Sequence, residues 1–236
     1  MSTGAAFVPR FVPGGAGALA RVRAHGRLQV VVGETAGVLA IAIAGALMGT
    51  GVRRVAGSLA GRRPPPVCCE AACLVVAILA DTASTAATTV WATTLFGGWC
   101  VCLSTVDLLV RRLPNLPTVG GALVILTVAA AAGRGGEAVV GALLLAAPLC
   151  VTHVISPRSL GAGDVKLALG LGAVAGLAGP TALLLGAVLP PFLTAGAGVL
   201  AGVIRGRWRS GTYGAGPVPH GPSMCLATGV GLLTAG

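Results

Sequence analysis

The chain has 236 residues, 55% of them hydrophobic and only 9% charged, with a formal net charge of +10 and a mean hydropathy of +0.93. Ordinary soluble domains carry about 25% charged residues, so a soluble, disordered or nucleic-acid-binding protein is excluded. The basic residues fall in short clusters between apolar runs, as the positive-inside rule places them in a polytopic membrane protein, and the charge therefore reports topology and no nucleic-acid partner.

Residues 1–32 form a basic N-terminal tail, expected to be poorly structured. Its apolar stretch is broken by Pro9, Arg10 and Pro13, so no cleavable signal peptide is expected. Residues 33–66 contain a first apolar run, Gly33 to Val52, and a basic, Pro-rich cytosolic loop from Arg53 to Pro66. From residue 67 to 236 the chain reads as one membrane core. A long apolar stretch pauses at Asp81 to Thr85 and continues to Val106, too long for one helix of about 20 residues and suited to a hairpin of two. A polar turn from Asp107 to Asn115 follows, then runs at Leu116 to Ala132 and Glu137 to Ile155, a polar break from Ser156 to Asp164, and runs at Val165 to Ala178, Thr181 to Ile204 and Gly221 onward. The fold class is an all-α transmembrane bundle of about eight spans, two of them short.

Placing 53–66, 107–115, 156–166 and 205–219 on the cytosolic side puts Arg53, Arg54, Arg62, Arg63, Arg111, Arg112, Arg158, Lys166, Arg205, Arg207 and Arg209 inside, with only Arg134 in an outside loop. Arg10, Arg21, Arg23 and Arg27 fall outside if the first run crosses, so that run either crosses against its own tail or lies in the interface. The pairs Gly33/Gly37, Gly45/Gly49, Gly172/Gly176 and Gly198/Gly202 have the spacing that lets helix backbones approach closely. The seven cysteines form no C-x-x-C pair and read as small core residues. His153 reads as a helix-packing residue.

Six acidic residues remain to carry chemistry. Glu34, Asp81 and Glu137 fall at outside ends of runs, where they are solvated, and Glu70 lies a turn inside its helix. Asp107 and Asp164 stand at the cytosolic ends of two helices with two spans between them, which returns the chain to the same membrane face. Two carboxylates at one depth in a low-dielectric bundle do not both ionise easily, so they share a proton, the working state of an aspartic protease. On spacing alone, the alternative is two unconnected interfacial aspartates, each paired with a neighbouring Arg or Lys. Gly161-Ala162-Gly163-Asp164 is a GxGD motif, whose glycines give the backbone freedom to bend and let a substrate strand approach. Pro114 and Asn115 fix a turn and cap the helix after it. Lys166 lies two residues past Asp164, a spacing that does not bring helical side chains together, and so meets either a lipid phosphate or an acidic group of a substrate.

The elements Asp107 with Arg111-Arg112-Leu113-Pro114-Asn115, then Gly161-Ala162-Gly163-Asp164-Val165-Lys166-Leu167, then Gly221-Pro222 resemble the prepilin peptidase (type IV leader peptidase) family of intramembrane aspartic proteases. Arg63-Pro64-Pro65-Pro66-Val67 with Glu70 looks like the segment that enters the first core helix of longer members. The resemblance implies catalytic Asp107 and Asp164, motif support from Gly161, Gly163, Pro114 and Asn115, substrate or lipid contacts from Lys166, Arg111 and Arg112, and neither metal nor cofactor. It implies type IV prepilin or pseudopilin precursors as partners, cut after a glycine, and a multi-pass location in the bacterial cytoplasmic (inner) membrane. Longer members carry a cytosolic loop with two C-x-x-C pairs, linked with zinc and N-methylation. The loop from Arg53 to Pro66 has no cysteine, so a short, peptidase-only form is expected. His220 stands where the family usually has an aromatic residue and is read as tuning the pocket. A membrane transporter or a non-catalytic scaffold with interfacial aspartates is the competing reading, although no internal repeat of the transporter kind is evident.

Overall fold

The computed structural model describes residues 15–84, 86–157, 160–204 and 219–235, with side chains described from Gly37 onward. Within them lie eight helices: α1 (Gly15–Ala60), α2 (Cys68–Ala83), α3 (Ala87–Val110), α4 (Asn115–Ala131), α5 (Gly135–Ile155), α6 (Ala162–Ala178), α7 (Pro180–Ile204) and α8 (Gly221–Thr234). Residues 1–40 and 41–236 form two units. In the first, the described residues are helical from Gly15, so residues 15–32 are not the poorly structured tail expected. Their Ala, Leu, Arg and Gln content favours a helix. Residues 1–14 and the arginines at 158, 205, 207 and 209 lie outside the described residues.

The apolar runs locate the helices, but two boundaries move. α1 continues through Arg53 and Arg54 to Ala60, so the basic loop begins eight residues later than expected. That extension is held by packing: Ala56 is fully buried with Cys102 and Val106, and Arg53 donates from Nε to Glu70 Oε1 at 2.7 Å. Likewise α3 runs on past Asp107 to Val110, because Leu108, Leu109 and Val110 continue the apolar sequence. The helix stops at Arg111, whose left-handed backbone (φ 54°) ends it and whose N–H bonds back to the Asp107 carbonyl at 2.8 Å.

Among the described residues, four segments are long and apolar enough to cross a membrane: Gly37–Ala60, Ala87–Val110, Gly135–Ile155 and Pro180–Val203. α2, α4, α6 and α8 have 16, 17, 17 and 14 residues, so four rather than two are shorter than the usual span of about 20. Exposed Leu47, Leu116, Val154, Ile155 and Phe192 give the bundle an apolar exterior, the surface that hydrocarbon, not water, favours.

Small residues fill the interior. α6 packs against α4, α5, α7 and α8, and its Leu167, Ala168, Leu171, Ala173 and Ala175 are fully buried. Two of the four glycine pairs sit at close helix crossings. A Cβ on Gly172 would lie 2.5 Å from the Gly141 carbonyl oxygen, and one on Gly176 would lie 2.5 Å from that of Glu137, which fixes the α5–α6 approach. A Cβ on Gly45 would lie 2.7 Å from Ala77 and one on Gly49 2.8 Å from the Cys69 carbonyl oxygen on α2. Gly37, by contrast, faces open space.

Candidate active site

Asp107 lies in the last turn of α3 rather than opening the turn after it, and it is buried at 6% exposure. The neighbouring Leu103 and Val106 are buried on the same side, so the pattern that buries α3 also draws in the carboxylate. A buried carboxylate needs hydrogen-bond donors. One comes from the start of α8, where the Gly221 N–H donates to Asp107 Oδ2 at 3.1 Å. Pro222 lies in the first turn of α8, where its missing N–H costs nothing, and the positive end of the helix dipole favours the anion. A Cβ at Gly221 would stand 2.8 Å from Asp107 Oδ2. The glycine of this Gly-Pro pair therefore has a specific use that the sequence did not disclose.

Asp164 is the third residue of α6, half-buried, and its Oδ2 accepts the Gly161 N–H at 3.3 Å while its own N–H donates to the Gly161 carbonyl at 3.1 Å. This is the backbone half of a capping box, an acidic side chain reaching back to the residue that starts the helix. His153 Nδ1 donates to the Leu160 carbonyl at 2.8 Å, so it holds the segment leading into the GxGD turn as well as packing within α5.

Two contacts join the α3–α4 turn to the start of α6. A Cβ at Gly163 would lie 2.9 Å from Leu113 Cβ, so the room left by this glycine is taken by Leu113 and not by a substrate strand. Lys166 donates from Nζ to Asn115 Oδ1 at 2.7 Å, a partner the sequence did not suggest. Asn115 is the first residue of α4 and Pro114 its N-cap, with no side-chain cap bond; the Asn115 amide serves Lys166 instead of the helix. The turn is also held from α3, where Trp99 Nε1 donates to the Pro117 carbonyl at 2.9 Å. The Trp99 ring fills the space left by Gly121 and Gly170.

Asp107 and Asp164 are brought close enough for the charge of Asp164 to act on Asp107, as do His220 and Arg111. Arg111 and Arg112 are exposed. Arg112, Asn115, Leu113, Pro114, Val110 and Leu59 line an open cavity of about 690 Å³ beside the turn. Among the described residues, no three His, Cys, Asp or Glu side chains converge as metal ligands.

A model of the type IV leader peptidase family matches residues 94–205, a stretch that carries Asp107, the Pro114-Asn115 turn, the GxGD turn and Lys166. No curated protein and no solved structure matches the chain. The matched stretch, which holds both motif turns packed against one another, is similar to the type IV leader peptidase family and supports a leader-peptidase-like reading of this part of the chain.

Proposed function

We propose that the chain is an intramembrane aspartic endopeptidase that removes the leader peptide from type IV prepilin-like precursors at the cytosolic face of the bacterial inner membrane. The match of residues 94–205 to the type IV leader peptidase family supports the leader-peptidase role. The observation that carries the aspartic mechanism is the packing of the turn that follows Asp107 against the start of α6, which bears Asp164, with the charge of Asp164 acting on Asp107. With one proton between them, the ionised carboxylate takes a proton from water as its oxygen attacks the scissile carbonyl carbon. The protonated carboxyl donates to the carbonyl oxygen. Collapse of the tetrahedral intermediate breaks the C–N bond, and the departing nitrogen takes a proton from the dyad. Arg111, Arg112 and the pair Lys166–Asn115 line the approach from the basic side, where they contact substrate or lipid headgroups.

The test is cleavage of a synthetic precursor with a basic leader, a glycine and an apolar helix, by purified protein in lipid nanodiscs, followed by mass spectrometry. One cut before the apolar helix is expected. Asp107→Asn and Asp164→Asn should each lower the rate by roughly 10³-fold or more, with the protein still inserted. Near-normal cleavage by either variant removes that residue from the dyad.

A further inference from the structure

His220 precedes Gly221 and caps α8, half-buried. Its Nδ1 lies 2.8 Å from Thr194 Oγ1 on α7. The Thr194 hydroxyl donates to the Pro190 carbonyl at 2.9 Å, and a hydroxyl has one hydrogen to give. The imidazole is therefore the donor to Thr194, Nδ1 keeps its proton, and Nε2 is the nitrogen that gains or loses one. The ring's charge reaches Asp107, whose Oδ2 already accepts the N–H of the next residue, Gly221.

We propose that His220, oriented by Thr194, is a positioning residue that makes the dyad asymmetric on the acid side of neutrality, where the ring carries its charge: there it favours Asp107 as the carboxylate that activates water and leaves the shared proton on Asp164. The assignment rests on the dyad reading above. It follows from the unequal surroundings of the two acids. Asp107 has the first amide of α8 and an imidazole within charge range, whereas the backbone donor to Asp164 is the Gly161 N–H at 3.3 Å.

The helices packed against α8 are α2, α3, α6 and α7. α3 brings Asp107, with Arg111 at its end, and α6 brings Asp164. Glu70 of α2 is engaged by Arg53, and α7 from Pro180 to Ile204 contains no ionisable side chain. Burial pulls the imidazole below its ordinary range, and Asp107 partly offsets this. The ring is consequently neutral at and above neutral pH and gains its charge on the acid side. There the cation opposes protonation of Asp107 and extends activity to lower pH.

The experiment is the pH profile of kcat/KM for the full chain in nanodiscs, wild type against His220→Gln and Thr194→Val. His220→Gln should match wild type within about two-fold at pH 8. Its acid limb should rise by about half to one pH unit, a loss of roughly three- to ten-fold on that limb. Thr194→Val, which frees the ring without removing it, should shift the limb the same way by less, and it carries the test if His220→Gln does not fold. An equal loss at every pH, or an unmoved acid limb in both variants, overturns the proposal. An inactive Asp107→Asn with unmoved limbs overturns only the role of His220, whereas an active Asp107→Asn overturns the dyad itself.

Discussion

Lys166 and Asn115 join the two motif-bearing turns through a 2.7 Å hydrogen bond between side chains 51 residues apart. The ammonium is the donor, and bonds to charged groups contribute about 1.5–3 kcal/mol; partial exposure of both partners argues for the low end or below. Lys166→Met and Asn115→Ala are each expected to lower cleavage about three- to ten-fold. The double variant should lose no more than the worse single one, since both remove the same contact. Fully additive losses would mean that Lys166 acts elsewhere, for instance on the substrate.

The glycines beside the two acids serve packing, and this separates them experimentally. Gly163→Ala forces a Cβ to 2.9 Å from Leu113 and should slow cleavage, and Leu113→Ala in the same chain should restore part of the rate by returning the space. Gly161→Ala meets Asp164 Oδ2 at 3.4 Å and the Gly163 nitrogen at 3.9 Å, ordinary contacts, and should be milder. If Leu113→Ala gives no rescue, the clash is not what holds the turns apart in the variant.

Gly221→Ala is expected to be the most severe of the glycine changes. Its Cβ would stand 2.8 Å from Asp107 Oδ2, so the amide that donates to the carboxylate must withdraw. Loss of a donor to a reacting charge costs on the order of 10²-fold in rate. A rate within a few-fold of wild type, measured on protein with normal expression, would show that the Gly221 amide does not support catalysis.

The sequence disclosed the helices because each is a run of apolar residues, and the candidate acids because Asp107 and Asp164 stand where those runs give way to polar turns. It did not disclose where α3 ends. Leu108 to Val110 continue the apolar pattern beyond the acid, and the stop is set by the backbone of Arg111. Nor did it disclose what each motif residue touches. The pairings Gly163 with Leu113, Asn115 with Lys166 and His220 with Thr194 join residues 26 to 51 positions apart in the chain, and no local pattern encodes them. The Gly-Pro start of α8 was visible as a motif, and only packing against α3 gives its amide an acceptor.

The dyad mechanism requires no metal. Cleavage by the purified protein is therefore expected to survive incubation with EDTA, with a rate within about two-fold of the untreated sample. Loss of activity with recovery on added zinc would contradict the mechanism.

The connection between α1 and α2, residues 61–67, contains no cysteine, which is the basis for expecting peptidase activity without methyl transfer. A mature pilin produced by this protein alone, with S-adenosylmethionine supplied, should carry a free N-terminal amine. Mass spectrometry of the product reads this directly, and an added methyl group would overturn the peptidase-only expectation.

The mechanism also places both acids on the side where unprocessed precursors present their basic leaders. Arg111 and Arg112 follow Asp107, and Lys166 follows Asp164, so the positive-inside rule predicts that both turns face the cytosol. Leu113 against Gly163 and Asn115 against Lys166 bring the two turns to one end of the bundle, so both must lie on the same face. Arg112 and Ala162 are both exposed and offer labelling sites. Single cysteines there, in a chain whose seven native cysteines have been replaced, should resist a membrane-impermeant thiol reagent in intact cells and react in inverted vesicles. Labelling of both from outside would reverse the topology and separate the site from its precursors. Labelling of only one from outside would contradict the contacts between the turns and leave no common dyad, the outcome expected of a transporter or scaffold with unconnected aspartates.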